Sequence, residues 1–199
     1  MKKLLITGFD PFGGESINPS WEAVKALPDK IGKTALIKLQ IPTLYGKAAE
    51  KVLATAESIR PDAIICVGQA GGRGAVTPEV VAINLREAKI PDNDGVLLQN
   101  TPVIEGAPAA YFSTLPVREM VNAIKEAGVP AALSYSAGAF VCNDTLYTLL
   151  HHYDGTDTKV CFIHVPFLPE QAKEGVSSLA AEDIIKALTA AIEVLSKGE

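Results

Sequence analysis

One apolar segment in the first third of the chain constrains the fold more than any other feature. Residues 61–68 read Pro-Asp-Ala-Ile-Ile-Cys-Val-Gly and lack the polar alternation of a half-exposed strand. Continuous apolar strands of this kind are typical of a parallel sheet that is covered on both faces. We therefore expect helices on both sides of this strand, and we expect Cys66 to be a core residue.

The rest of the chain alternates between strand-like and helix-like patterns. Further strands are predicted at residues 3–7, 34–41, 79–85, 131–135 and 160–165. Helices are predicted at residues 18–27, 44–59, 116–127, 145–151 and 178–195. This alternation favours an α/β fold, a three-layer α/β/α single domain over residues 1–199 with a mostly parallel, twisted central sheet.

Residues 86–116 interrupt this pattern with little periodicity and many Pro, Gly, Asn and Asp residues. A long irregular connection inside a compact domain is usually functional. A flap over a binding site and a contact between subunits would both fit this segment.

Charge and cysteine content exclude several classes of protein. The net charge is −5 and there is no basic run, so a nucleic-acid partner is not expected. The apolar start ends at Gly8 and is too short for a signal peptide or a membrane span. Three cysteines argue against a disulfide framework and for a reducing cytosol. None of them has zinc-ligand spacing, so no metal site is expected.

Cys142 is the first candidate for chemistry. It lies between the predicted strand at 131–135 and the predicted helix at 145–151, with Asn143 or Asp144 as the expected N-cap. A helix N-terminus favours a thiolate and can lower the pKa of a cysteine, so Cys142 is a candidate nucleophile. The alternative is an inert buried cysteine, which is what we expect of Cys66 and Cys161.

His164 is the candidate base. It interrupts an apolar strand near the carboxyl end of that strand. The carboxyl ends of the strands form the edge at which α/β proteins place their sites. A hydrogen-bonded histidine of the core would give the same sequence pattern. His151 and His152 end a helix, where a structural role is expected. A third group that orients the imidazole would complete a nucleophile–base arrangement, and the spacing does not rank Glu79, Asp10 and Asp144 for that role.

The loop at residues 8–14 is rich in glycine but matches neither the dinucleotide-binding spacing nor the P-loop pattern. It carries two phenylalanines, Phe9 and Phe12. They either pack on the core or form an aromatic wall for a small ligand.

Short motifs in order along nearly the whole chain carry a family resemblance. They are residues 8–14 (GFDPFGG), 18–20 (NPS), 66–73 (CVGQAGGR), 82–85 (AINL), 90–93 (IPDN), 136–138 (SAG), 140–143 (FVCN) and 163–170 (IHVPFLPE). Together they resemble the pyroglutamyl peptidase I family of cysteine peptidases. The resemblance implies a cytosolic enzyme, without a cofactor and commonly a homotetramer, that removes N-terminal 5-oxoproline from peptides through a thioester. It places a catalytic triad on Cys142, His164 and Glu79.

A pocket for the flat, uncharged lactam ring should be mostly apolar with a few fixed polar groups. The expected substrate-binding residues are Phe9, Phe12, Asn18, Gln69, Lys89 and Phe140. Two positions depart from the family pattern, because Lys89 stands where such proteins usually carry Arg and Asp144 where they usually carry His. If residue 89 helps to stabilise the oxyanion, lysine offers a compact ammonium where arginine would offer a planar guanidinium with several donors. The carboxylate of Asp144, if it lies near Cys142, would oppose formation of the thiolate.

Three other functions are compatible with the same sequence features. The chain could be another Cys-His-Glu amidase or acyl transferase that acts on a different small acyl group. It could be a nucleoside- or phosphate-binding α/β enzyme, or a binding module that has kept the pocket without the reaction.

Overall fold

The structure, a computed structural model, describes residues 2–197. The strands are β1 (Lys2–Phe9), β2 (Lys30–Ile31), β3 (Thr34–Ile41), β4 (Ala63–Gln69), β5 (Thr77–Pro78), β6 (Val81–Ile83), β7 (Ala110–Phe112) and β8 (Lys159–Val165). The helices are α1 (Pro19–Ala26), α2 (Lys47–Ile59), α3 (Val117–Glu126), α4 (Val141–His152) and α5 (Ala181–Lys197). None of these helices is long and apolar enough to cross a membrane.

The main sheet has the strand order β2-β3-β1-β4-β8-β5. Its four central strands run parallel, and the two-residue strands β2 and β5 pair antiparallel at the edges. Strands β6 and β7 form a separate antiparallel pair. The predicted α/β fold with a mostly parallel sheet is therefore confirmed.

Alternate residues of each central strand enter two different cores. In β8, Cys161, Ile163 and Val165 pack on one face, whereas Val160 and Phe162 pack on the other. The first core also contains the buried faces of α1, α3 and α5, and the second contains those of α2 and α4. Helices thus cover both faces of the sheet, which explains why β4 and β8 at its centre are buried along almost their whole length. Cys66 and Cys161 are fully buried, as predicted.

Two strand predictions were wrong. Residues 131–135 form only isolated parallel bridges, from Ala131 to Val76 and from Ser134 to Glu79. This segment pairs on one side only, at the edge of the sheet, and Tyr135 is exposed. The predicted strand at 79–85 is divided, because the chain leaves β5 beside β8 and then crosses to the small sheet at β6. Glu79 lies at this crossing, with its N–H bonded to the carbonyl of Phe162 at 2.9 Å.

The start of α4 also differs from the prediction. The helix begins at Val141, four residues earlier than expected, and Phe140 is its N-cap without a side-chain capping bond. Asn143 does not cap the helix, because its amide bonds to the backbone of Ile83 and Leu85. Asp144 is occupied too, by Arg86 and the N–H of Gly46. Cys142 is consequently the second residue of the helix and lies inside its first turn.

Candidate active site

A cavity of about 200 Å³ opens at the carboxyl ends of β1 and β4, next to the first turn of α4. Its lining residues are Phe9, Phe12, Asn18, Thr43, Gln69, Ala70, Arg73, Ala137, Gly138, Phe140, Cys142 and His164. Two larger depressions, of about 360 and 710 Å³, lie elsewhere on the surface and contain neither Cys142 nor His164. The smaller cavity is therefore the one that brings the candidate reactive groups together.

His164 and Glu79 form a buried pair beside this cavity. The imidazole Nδ1 lies 2.7 Å from Glu79 Oε1, and Glu79 is fully inaccessible to solvent. An ionised carboxylate can only accept hydrogen bonds, so Nδ1 carries the proton and donates it. This tautomer leaves Nε2 as the basic nitrogen of the ring.

Burial and charge set the protonation of this pair. Burial alone would raise the pKa of Glu79, but the hydrogen bond from His164, the attraction of His164 when it is protonated, and hydrogen bonds from Ser134 and Arg73 bring the pKa below its usual value. Burial lowers the pKa of His164, and the attraction of Glu79 opposes this shift only in part. At neutral pH, Glu79 is therefore an anion and His164 is neutral.

Gly68 explains how Cys142 reaches the same place. This residue is the register partner of His164 in the pairing of β4 with β8. A Cβ atom at position 68 would lie 3.0 Å from Cys142 Sγ and 2.6 Å from the ring of Phe162. Only glycine leaves enough room for the thiol and the phenyl ring to pack against the strand at this point.

The thiol of Cys142 does not have the lowered pKa that its position at a helix start predicted. Burial raises the pKa of Cys142 to about 12, the negative charge of Glu79 adds to the rise, and Arg73 opposes it. A helix terminus is worth about 0.3–1 kcal/mol, which is less than one pKa unit, so the desolvation of this half-buried thiol and the charge of Glu79 outweigh it. The resting site therefore pairs a neutral thiol with a neutral imidazole.

The first turn of α4 leaves its N–H groups without a side-chain cap, in contrast to the capped start of α1, where Asn18 accepts from the N–H of Ser20 at 3.1 Å. The first N–H groups of any helix have no acceptor within the helix. The backbone N–H of Cys142 is one of these groups. Such donors bind anionic oxygen well.

Aromatic rings form the walls of the cavity. The ring centroids of Phe12 and Phe140 lie 6.2 Å apart with the ring planes tilted by 43°, and Tyr45 packs edge-on against Phe140. Phe9 is almost fully buried and contacts Phe162, which in turn packs against the His164 ring. Phe9 thus belongs both to the core and to the cavity wall. The two roles predicted for the phenylalanines of the first loop, packing on the core and forming an aromatic wall, are therefore compatible.

The polar residues predicted for the pocket have different environments. Asn18 is buried, and its amide also donates from Nδ2 to the carbonyl of Asp10 at 2.9 Å. Gln69 Oε1 accepts from Gln171 at 3.2 Å, which leaves the amide nitrogen of Gln69 as its donor. Both residues line the cavity, whereas Lys89 is exposed and does not line it. Contact between these side chains and a substrate stays a prediction.

Asp144 does not act on Cys142 in the way the sequence suggested. Its carboxylate is fully buried and accepts from Arg86 Nε at 2.6 Å and from the N–H of Gly46 at 2.9 Å. The guanidinium therefore balances its charge. The carboxylate with the largest effect on the pKa of Cys142 is instead Glu79.

Arg73 and Thr43 also line the cavity, although neither was predicted as a site residue from the sequence. Arg73 bonds to Glu79 Oε1 at 2.9 Å, and Thr43 Oγ1 and N–H both bond to Asp10. Arg73 lies in a glycine-rich loop directly after β4. A single cationic residue in a loop at the carboxyl end of a central strand indicates a site residue, so Arg73 could have been predicted. Thr43 carried no comparable signal, because it is brought in by its bonds to a distant loop.

The remaining histidines and cysteines lie away from this constellation. His151 and His152 end α4, and His151 Nδ1 bonds to the hydroxyl of Tyr111 at 2.8 Å. All three cysteines are free thiols. Within residues 2–197 no group of three or more His, Cys, Asp or Glu side chains is arranged to hold a metal ion.

Comparison with known proteins decides the family. The family model described as pyroglutamyl peptidase matches residues 2–198. The chain belongs to the pyroglutamyl peptidase family. This finding confirms the resemblance that the sequence motifs indicated.

Individual relatives of the pyroglutamyl peptidase family match over nearly their whole length. A pyrrolidone-carboxylate peptidase of Bacillus cereus is 48% identical over 100% of this chain and 95% of its own. One of Thermococcus onnurineus is 48% identical over 98% and 99%. The crystal structure of pyroglutamyl peptidase I from Bacillus amyloliquefaciens is 46% identical, has a TM-score of 0.92, and covers 96% of this chain and 95% of that one. The fold is therefore that of the family.

Proposed function

We propose that this protein is a cysteine exopeptidase that removes N-terminal pyroglutamate from peptides. The observation that carries the proposal is one cavity in which a thiol and a carboxylate-bound imidazole meet an aromatic wall. Cys142 and His164 line this cavity, and Glu79 Oε1 holds His164 Nδ1 at 2.7 Å. Membership of the pyroglutamyl peptidase family supports the same conclusion.

In the proposed reaction, Cys142 is the nucleophile and His164 is the base. Sγ attacks the carbonyl carbon that joins the pyroglutamyl group to the next residue, while the thiol proton moves to His164 Nε2. The carbon–nitrogen bond then breaks, His164 gives the proton to the leaving amine, and a thioester remains on Cys142. Water, deprotonated by His164, hydrolyses this thioester and restores the thiol.

Two groups assist these steps in the proposal. Glu79 keeps the imidazole in the tautomer with Nε2 free and stabilises the imidazolium that forms. The uncapped N–H of Cys142 binds the oxygen of the attacked carbonyl as it becomes negative, a contact whose loss costs on the order of 10²–10³ in turnover in other enzymes. Because the resting thiol is neutral, proton transfer accompanies the attack.

The shape of the cavity fits a small, flat acyl group. Phe12 and Phe140 offer apolar surface to the ring, Gln69 offers its amide N–H groups to the ring C=O, and Asn18 lies in the same wall with its Oδ1 bonded to Ser20. The cavity holds about 200 Å³, below the roughly 300 Å³ at which sites for drug-sized ligands begin. Pyroglutamate brings no ammonium group, so no charge has to be desolvated when it enters.

A matched pair of substrates tests this proposal. Aminocoumarin amides of pyroglutamate and of proline differ in the ring carbonyl and in the charge on the ring nitrogen. We expect the pyroglutamyl amide to be hydrolysed with a far higher kcat/KM, because proline would bury an ammonium and leave the pocket amides unpaired. Similar rates on both amides would contradict the lactam pocket. Hydrolysis of other small acyl amides in preference would favour a different Cys-His-Glu amidase.

We also propose that the protein works in the cytosol as a homotetramer, in line with the family resemblance. Three free thiols suit a reducing compartment, and Phe112 and Tyr135 are 70% and 65% exposed, which leaves apolar surface for contacts between subunits. Cell fractionation tests the first statement. Sedimentation of the purified protein tests the second, and a monomer at micromolar concentration would contradict it.

A further inference from the structure

Arg73 is the one Lys or Arg side chain among the described residues that line the cavity. It lies in the loop between β4 and β5, and about a third of its side chain is exposed. The two N–H groups of its Nη1 atom are shared among Thr77 Oγ1 at 2.5 Å, Glu79 Oε1 at 2.9 Å and Ser134 Oγ at 3.3 Å. Its Nη2 atom donates to the carbonyl of Ser136 at 3.1 Å. Four contacts from two chain segments therefore fix the guanidinium.

Arg73 and His164 share a single oxygen atom. His164 Nδ1 lies 2.7 Å from Glu79 Oε1, and Arg73 Nη1 lies 2.9 Å from the same atom. The other carboxylate oxygen, Oε2, is buried without a hydrogen-bond partner. His164 and Arg73 therefore both bear on the position of Oε1, and the hydroxyl of Ser134, which accepts from Arg73 at 3.3 Å, also helps to lower the pKa of Glu79.

We propose that Arg73 is a positioning residue for the peptidase reaction, which holds Glu79 Oε1 against His164 and supplies the positive charge that balances this carboxylate. This role of Arg73 rests on the proposed function, and Arg73 affects the reaction only through its contact with Glu79. A buried carboxylate without a cation would be costly to ionise, and the charge-assisted bond from a guanidinium offsets this cost. Arg73 also ties the loop after β4 to the segment at 134–136.

Loss of this charge changes the ionisation of both reactive groups. His164 faces Glu79 and Arg73, and Cys142 faces Glu79, Arg73, Cys66 and Tyr45. The Arg73 cation lowers the pKa of His164 and opposes the rise in the pKa of Cys142. Without it the Glu79 charge acts alone, so both pKa values rise. The imidazole then stays protonated to higher pH, and the thiol ionises only at higher pH.

The experiment compares Arg73→Gln and Arg73→Lys with Arg118→Gln, which removes the same charge from an exposed position in α3. Two quantities are measured against pH: kcat and KM on the pyroglutamyl amide, and the rate at which iodoacetamide alkylates Cys142. For Arg73→Gln we expect kcat to fall about 10- to 100-fold with little change in KM, the order expected when a reacting group shifts by up to about 1 Å. Both pH profiles should move to higher pH.

Arg73→Lys should recover part of kcat and most of the pH profile, because lysine restores the charge but not the planar fork. Arg118→Gln should match the wild type in every measurement. Should Arg73→Gln fail to fold, Arg73→Lys decides the question: a lower kcat with an unshifted alkylation profile supports the proposal, and wild-type turnover contradicts it.

The positioning role is wrong if Arg73→Gln keeps the wild-type pH profiles, or if it changes KM alone. A change in KM alone would mean that Arg73 binds the substrate. The alkylation profile depends only on the surroundings of Cys142. If the wild type fails to hydrolyse the pyroglutamyl amide, the proposed function is wrong, and alkylation still decides the role of Arg73.

Discussion

Single residues in this site are controlled by burial more than by their place in a helix or strand. Cys142 lies in the first turn of α4, but desolvation and the charge of Glu79 raise its pKa to about 12. His164 is neutral because burial lowers its pKa against the pull of Glu79. A thiol and an imidazole that are both neutral must exchange a proton during the attack, so the state of His164 governs the acid side of the pH profile.

The pH dependence of kcat/KM should show this directly. His164 must be neutral to accept the thiol proton, and its pKa lies below the ordinary 6.5. Activity should therefore be lost only as the pH falls below 6.5, when the imidazole becomes protonated. Glu79→Gln removes a group that raises the pKa of His164, so its acid limb should move to still lower pH, opposite to the shift expected for Arg73→Gln.

Glu79→Gln should also lower kcat by about 10²–10⁴, because an amide no longer fixes the tautomer with Nε2 free. Glu193→Gln, an exposed change in α5, is the control and should leave both kcat and the profile unchanged. An acid limb above pH 6.5 in the wild type, or a shift to higher pH in Glu79→Gln, would contradict the assigned protonation.

Among the elements, the first turn of α4 holds the site together. Asn143 bonds to the backbone on either side of Asn84, and Asp144 bonds to Arg86 and to the N–H of Gly46. The Arg86 guanidinium also lies over the Tyr45 ring, 5.8 Å from its centroid. Asn143 and Asp144 thus bind three parts of the chain to the first turn of α4: β6 with the residues just after it, the start of the irregular segment at 86–116, and the loop before α2.

Breaking the Arg86–Asp144 pair should destabilise the protein strongly. Asp144→Asn leaves the Arg86 charge without its partner in a largely buried place, a loss on the order of 3 kcal/mol in the free energy of unfolding. Urea denaturation measures the change, and Asp154→Asn, at an exposed position after α4, is the matched control.

The double variant Arg86→Gln/Asp144→Asn should lose less than the sum of the two single variants, because the second change removes a charge that is already unpaired. Strictly additive losses would show that the two side chains do not stabilise each other.

At the scale of the whole molecule, the sequence predicts the sheet well and the junctions poorly. The apolar runs of β1, β4 and β8 predict buried parallel strands because each one packs on both faces, whereas β3, next to the edge strand, carries half-buried Lys38 and Gln40. The segment at 131–135 has a similar composition but pairs with one neighbour only, and composition does not record how many neighbours a strand has. The division of residues 77–83 between two sheets depends likewise on distant partners.

The site follows the same rule. Cys142 and His164 could be chosen from their types and their positions near the ends of predicted elements. Sequence spacing could not rank Glu79 above Asp10 and Asp144, because their partners lie far away in the chain: His164 for Glu79, Thr43 for Asp10 and Arg86 for Asp144. The raised pKa of Cys142 was missed for a related reason, since burial is a property of the assembled fold.

The most direct test of the central claim is the turnover of three single alanine variants on the pyroglutamyl amide, each normalised to folded protein. Cys142→Ala should lose essentially all activity, because no other thiol lines the cavity among the residues described. Cys66→Ala and Cys161→Ala change thiols buried in the two cores and should keep wild-type turnover. Retained activity in Cys142→Ala, or its loss only in one of the other two, would contradict the account.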